Sequence, residues 1–152
     1  MTAQIFAQGV SDAAITVEQA LQDNYSHLSS SETFSQSDAR AELATIWEDS
    51  CRDNWDGNGA TAVAWQTMGH ADQLIKALPL GYALPSIGVE PDGHITLEWY
   101  RRPRWTLSVS VSPEGMLYYS ALLGSEDPRG SYLFDGQISE TLLSLIYRTC
   151  RL

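Results

Sequence analysis

Trp105-Thr106-Leu107-Ser108-Val109-Ser110-Val111-Ser112 alternates apolar and polar residues without a break. Successive side chains of a strand point to opposite faces, so Trp105, Leu107, Val109 and Val111 share one face and the hydroxyls the other. Upstream, residues 94–101 repeat the pattern, with Ile95, Leu97 and Trp99 on one face and His94, Thr96, Glu98 and Tyr100 on the other. Arg101-Arg102-Pro103-Arg104 reads as the turn between these strands, and Pro113-Glu114-Gly115 as the next hairpin turn. Met116–Leu123 continues the ribbon, and Ser131–Phe134 adds a short edge strand after a loop over Gly124–Gly130. Ser86–Glu90 precedes it, joined through the turn Pro91-Asp92-Gly93.

Away from this ribbon the apolar period becomes helical. Ala39, Leu43, Ile46, Trp47 and Ser50/Cys51 mark a helix starting at Ser37 or Asp38. Asn54-Trp55-Asp56-Gly57-Asn58-Gly59 stops it, since glycine and asparagine accept positive φ. A second helix is expected over Thr61–Leu78, with Ala64, Met68, Ala71, Leu74, Ile75 and Leu78 buried and Pro79 ending it. A last helix begins at the N-cap Ser139 and lines one side with Leu142, Leu143, Ile146 and Cys150. Nearer the start, Thr16 and Gln19 form a capping box for a helix near 17–28, whose apolar residues are Val17, Ala20, Leu21, Tyr25 and Leu28. A weak strand signal covers residues 3–8.

A meander with one apolar face requires a cover, and only the helices can supply it. The sequence therefore predicts an α+β fold of two layers, a four- to five-stranded antiparallel meander with helices packed on one face. Residues 1–36 read as an N-terminal helical arm with a serine-rich connector, and residues 37–152 as a single domain. A chain of 152 residues that is 43% hydrophobic has enough core to fold without a metal or disulfide. Cys51 and Cys150 are expected as free thiols. The N-terminus lacks a basic, apolar leader and no apolar run reaches 18 residues, so the expected location is the cytoplasm, away from membranes.

The net charge of −10 is uneven. Residues 1–60 hold ten acids against two bases, and residues 61–152 nine against seven. Such acidity repels phosphate backbones, which disfavours direct nucleic-acid binding, and attracts basic partners. Glu42, Glu48, Asp49 and Asp53 are the candidate contacts on the acidic helix, and Arg101, Arg102 and Arg104 on the basic hairpin. Opposite charges at two ends also allow a homo-oligomer.

No catalytic or cofactor motif emerges. Taken as an EF-hand loop from Asn54, the segment has Trp65 where a bidentate acid must stand, so calcium is not expected. Trp55, Asp56, Gly57 and Gly59 read instead as a structural loop, Trp55 plugging the core beneath. The histidines at 27, 70 and 94 lack metal-ligand spacing, and no phosphate-loop lysine follows the glycines. His94, Glu98, Tyr100 and Ser108 are the residues that an enzyme or ligand-binding domain would use on the polar sheet face.

Asn54-Trp55-Asp56-Gly57-Asn58-Gly59-Ala60 together with Asp92-Gly93-His94-Ile95-Thr96-Leu97-Glu98-Trp99 resembles small bacterial proteins of unassigned function that carry NWDG-x-GA and DG-x-I-x-LEW motifs. The resemblance spans about residues 40 to 150, and implies a compact helix-on-sheet domain of bacterial or phage origin. It implies no activity and no site residues. The functional expectation is thus a non-enzymatic, acidic protein-binding module without cofactor. Small acidic proteins of this kind serve by analogy as inhibitors of basic or nucleic-acid-handling partners, in the manner of antitoxins, immunity proteins or anti-CRISPR proteins. The alternatives are the enzyme or ligand-binding domain above and a self-associating structural subunit.

Overall fold

The computed structural model describes residues 35–151. The first helix, α1, covers residues 35–50 of the described chain, and α2 spans Trp65–Ala77. Five strands follow: β1 Ser86–Val89, β2 Ile95–Arg102, β3 Trp105–Val111, β4 Met116–Leu123 and β5 Arg129–Leu133. Helix α3, Glu140–Cys150, is the last element among the described residues. The expected strand over 3–8 and helix near 17–28 lie outside the described residues.

The strands pair antiparallel in chain order, β1-β2-β3-β4-β5. The register matches Ile95, Leu97 and Trp99 with Val111, Val109 and Leu107. All six are buried, and Leu117, Ala121 and Leu123 of β4 continue the layer. Helix α3 rests on β2, β3 and β4, and α2 on β2 and β3. Leu142, Leu145 and Ile146 of α3 and Ala71, Leu74 and Ile75 of α2 belong to the same core. Each fully buried Leu or Ile contributes about 1.5–3 kcal/mol against unfolding, which makes this layer the main source of stability. The opposite sheet face presents Thr96, Glu98, Tyr100, Ser108, Ser110, Tyr118 and Ser120, none of them buried.

Helix α1 runs antiparallel to α2. Gln36 Nε2 donates to the Leu78 carbonyl (3.1 Å), Arg40 meets Asp72 (2.6 Å), and the Trp47 indole donates to the Val63 carbonyl (3.0 Å). Its buried positions Ala39, Leu43 and Ser50 keep helical spacing.

Four local expectations need correction. The helix expected from Thr61 begins at Trp65, because residues 61–63 give their amides elsewhere. Thr61 N–H donates to the Pro91 carbonyl, Ala62 N–H to Asp53 Oδ1 and Val63 N–H to the Ser50 carbonyl. An extended stretch with its donors satisfied gains nothing by coiling. Trp55 does not plug the core: it is half-buried, and its indole donates to the Thr61 carbonyl (2.9 Å) across the loop. Leu145, not Leu143, completes the buried side of α3. The last strand starts at Arg129, two residues early, since Ser120 of β4 extends its pairing to that residue. The Ser139 cap stands as expected, its hydroxyl accepting from Leu142 N–H (3.2 Å).

Candidate functional site

The acidic flank of the molecule is built by α1. With Ala39 and Leu43 turned inward, positions 38, 42, 45 and 49 fall on the outward side, and Asp38, Glu42, Glu48 and Asp49 are exposed. None of these four carboxylates has an ion-pair partner among the described residues. The cation within the helix faces away from them: Arg40 clasps Asp72 of α2 through two nitrogens (2.6 and 3.3 Å), and Lys76 reaches the same carboxylate at 3.6 Å. Hydrogen bonding to Asp72 raises the Arg40 pKa further above its already high value. Asp53, expected on the same flank, stays exposed but spends one oxygen on Ala62 N–H (3.0 Å).

The loop after α1 is held by its own side chains. Asp56 Oδ1 accepts from Asn58 N–H (2.8 Å) and Ala60 N–H (3.1 Å), and Asn54 Oδ1 from Gly59 N–H (2.7 Å). Asn54, Gly57 and Gly59 take φ of 61°, 74° and 87°, the left-handed region that asparagine and glycine tolerate. These bonds use Asn54 Oδ1 and Asp56 Oδ1 to hold the loop. The loop then meets the β1–β2 turn, where Thr61 N–H reaches the Pro91 carbonyl (2.8 Å) and the Gly93 backbone lies against the Ala62 carbonyl.

The three hairpin arginines do not form one tip. Arg104 (φ 65°) turns to the β4–β5 connection, where its Nε donates to the Gly124 carbonyl (2.7 Å) and its own carbonyl accepts from Gly124 N–H (2.8 Å). Arg102 lies over the Trp105 ring, 5.3 Å from its centroid. The β2–β3 register shifts between Tyr100 and Arg102, and Arg101 donates to the Arg151 carbonyl at the C-terminus of α3. Arg101 and Arg102 thereby join Arg148 and Arg151 around a cleft of about 320 Å³ walled by Trp105. Arg148 is held by Glu126 (2.8 Å), and Arg151 lies over Tyr147. Arg148 and Arg151 suit the negative C-terminal end of the α3 dipole, and nothing local in the sequence connects them to a hairpin some fifty residues away.

On the polar sheet face the expected His94, Glu98, Tyr100 and Ser108 do not gather into one cluster. Ser108 donates to Glu98 (3.2 Å), whereas His94 Nδ1 pairs with Ser110 Oγ (3.0 Å) and its ring stacks on Tyr118 with centroids 6.2 Å apart. Tyr100 is largely exposed. Glu90, Asp92 and His94 converge instead, their ligand atoms within 4.8 Å of one another, a grouping that the search for histidine spacing misses because two of the three are turn acids. Each is already engaged: Thr96 donates to Glu90, His94 N–H to Asp92 Oδ1 (3.1 Å), and His94 meets Ser110. This turn chemistry accounts for the trio without an ion.

Compared with known proteins, the chain matches no family model, no curated protein and no solved structure.

Proposed function

We propose that this protein is a non-enzymatic binding module whose acidic α1 flank docks a basic surface of a protein partner. One observation carries the reading. Asp38, Glu42, Glu48 and Asp49 stand exposed on one flank, without an ion-pair partner among the described residues, while Arg40 is drawn off to Asp72. Like charges gathered on one flank repel each other, and a cationic partner removes that cost while gaining a faster encounter. The flank also belongs to a helix tied at three points to α2 and the residues just before and after it, so little ordering is required on binding. Inhibition of a basic, nucleic-acid-handling partner is the role such a surface serves best, because it competes for the same cationic groove as a phosphate backbone.

The test is affinity capture with the wild-type chain and with a Glu42→Lys/Glu48→Lys/Asp49→Lys variant, eluted by a rising salt series. A basic protein held by the wild type and lost by the variant supports the reading. An identical retained set at every salt concentration removes it.

A further inference from the structure

Four guanidiniums meet in one cleft at the C-terminal end of α3. Consecutive residues of a regular strand face opposite sides. Arg101 and Arg102 nevertheless line the same cleft, because the β2–β3 register slips between Tyr100 and Arg102. Such irregularities re-aim side chains and are common beside functional sites. Of the four arginines, Arg148 is neutralised by Glu126 at 2.8 Å. Arg101, Arg102 and Arg151 have no ion-pair partner among the described residues. Uncharged groups hold them instead. Arg102 lies over Trp105, Arg151 over Tyr147, and Arg101 donates to the Arg151 carbonyl. A ring contact engages the face of a guanidinium and leaves its N–H edge open. Three anchored cations with donors to spare repel one another, and a compact anion removes that cost.

The chemistry of that anion follows from the number and origin of the cations. A carboxylate offers two coplanar oxygens and fills one guanidinium fork. Three guanidiniums from two elements require tetrahedral groups with several oxygens and several charges, which a diphosphate supplies. A long polyanion is a poorer match, since the net charge of −10 repels it along its whole length. A small one feels chiefly the charges within a Debye length, about 8 Å at physiological salt. The cleft, about 320 Å³, shares Arg151 with a groove of about 580 Å³ lined by Tyr82, Ala83, Ile146 and Tyr147. Each has the size of a small-molecule site, and together they offer an apolar wall beside a few convergent polar groups. We infer that these joined cavities bind a small organic diphosphate, its phosphates on Arg101, Arg102 and Arg151 and its body in the groove. The site is separate from the α1 flank and independent of the partner proposed for it. Nucleoside diphosphates and prenyl diphosphates share this chemistry, the first with a flat base for the tyrosines, the second with a chain for Ala83 and Ile146.

Titration calorimetry of the full-length chain, in magnesium-free buffer at physiological salt, tests this with inorganic pyrophosphate, citrate, ADP and geranyl diphosphate. Pyrophosphate should saturate one site, and citrate should bind about tenfold more weakly. ADP or geranyl diphosphate should bind about tenfold more tightly than pyrophosphate, and whichever does so names the source of the ligand. Arg102→Gln/Arg151→Gln should weaken pyrophosphate about tenfold, whereas Lys76→Gln/Arg129→Gln, which removes the same charge outside the cleft, should leave it unchanged. Ala83→Trp fills the groove and should reduce the tighter organic diphosphate to the affinity of pyrophosphate. All five substituted residues are exposed, so the fold tolerates the changes. No binding of pyrophosphate by the wild type overturns the proposal. Citrate equal to pyrophosphate overturns it too, as do equal losses in the two double variants, because diffuse charge would then explain the binding. Two organic diphosphates no tighter than pyrophosphate overturn it through the groove.

Discussion

At the scale of single residues, polar atoms reveal more than apolar ones. Thr67 is fully buried in α2, and its hydroxyl has no hydrogen-bond partner among the described residues. Valine keeps the branched shape without the stranded oxygen, so Thr67→Val should raise the unfolding free energy by about 1 kcal/mol, read as a higher urea midpoint at constant slope. His70 shows the reverse case. Its imidazole packs against Gly115 in the β3–β4 turn, a structural post for one of the histidines in which a metal ligand was sought. Which apolar residues are buried was legible: alternation alone places Leu97, Trp99, Leu107, Val109 and Val111 inward, and all five are. Which polar side chains meet was not. The choice of Ser110 rather than Glu98 as the partner of His94 depends on cross-strand geometry that no single strand encodes.

At the scale of elements, the meander was legible almost to the residue, because period-two alternation and the Pro-Asp-Gly and Pro-Glu-Gly turns are local signals. The connector between α1 and α2 was not. Its helical-looking apolar spacing was overridden by three amide hydrogen bonds, two to the Pro91 and Ser50 carbonyls and one to the Asp53 carboxylate. Its contact with the β1–β2 turn depends on Gly93, whose φ is 90° and where a β-carbon would lie 2.9 Å from the Ala62 carbonyl oxygen. Gly93→Ala therefore combines left-handed strain with a backbone collision and should cost about 1–3 kcal/mol. Thermal unfolding measures this, and a melting temperature equal to that of the wild type would refute the contact. Gly136, at φ 98° with open space around it, is the matched control for backbone strain without collision.

For the molecule as a whole, charge was legible and its arrangement only in part. The net charge of −10 and an isoelectric point near 4.5 follow from composition. Turbidity in low salt should peak close to pH 4.5, where mutual repulsion between molecules vanishes. Each acid-to-lysine change adds two charges, so the triple α1 variant moves from −10 to −4 and its turbidity peak should lie at higher pH. The acidic side could be assigned in advance because one helix carries it. The basic side could not, because its four arginines come from a hairpin and a helix that only the fold brings together.

The fastening of the α1–α2 connector to the β1–β2 turn has a consequence for dynamics. Thr61 and Val63 belong to no helix or strand, yet their amides are locked by Pro91 and Ser50. They should exchange with deuterium as slowly as neighbouring strand amides, and proteases that hunt for loops should fail there. A segment that looks like a hinge would then behave as a weld, and α1 would ride with the sheet as one rigid body.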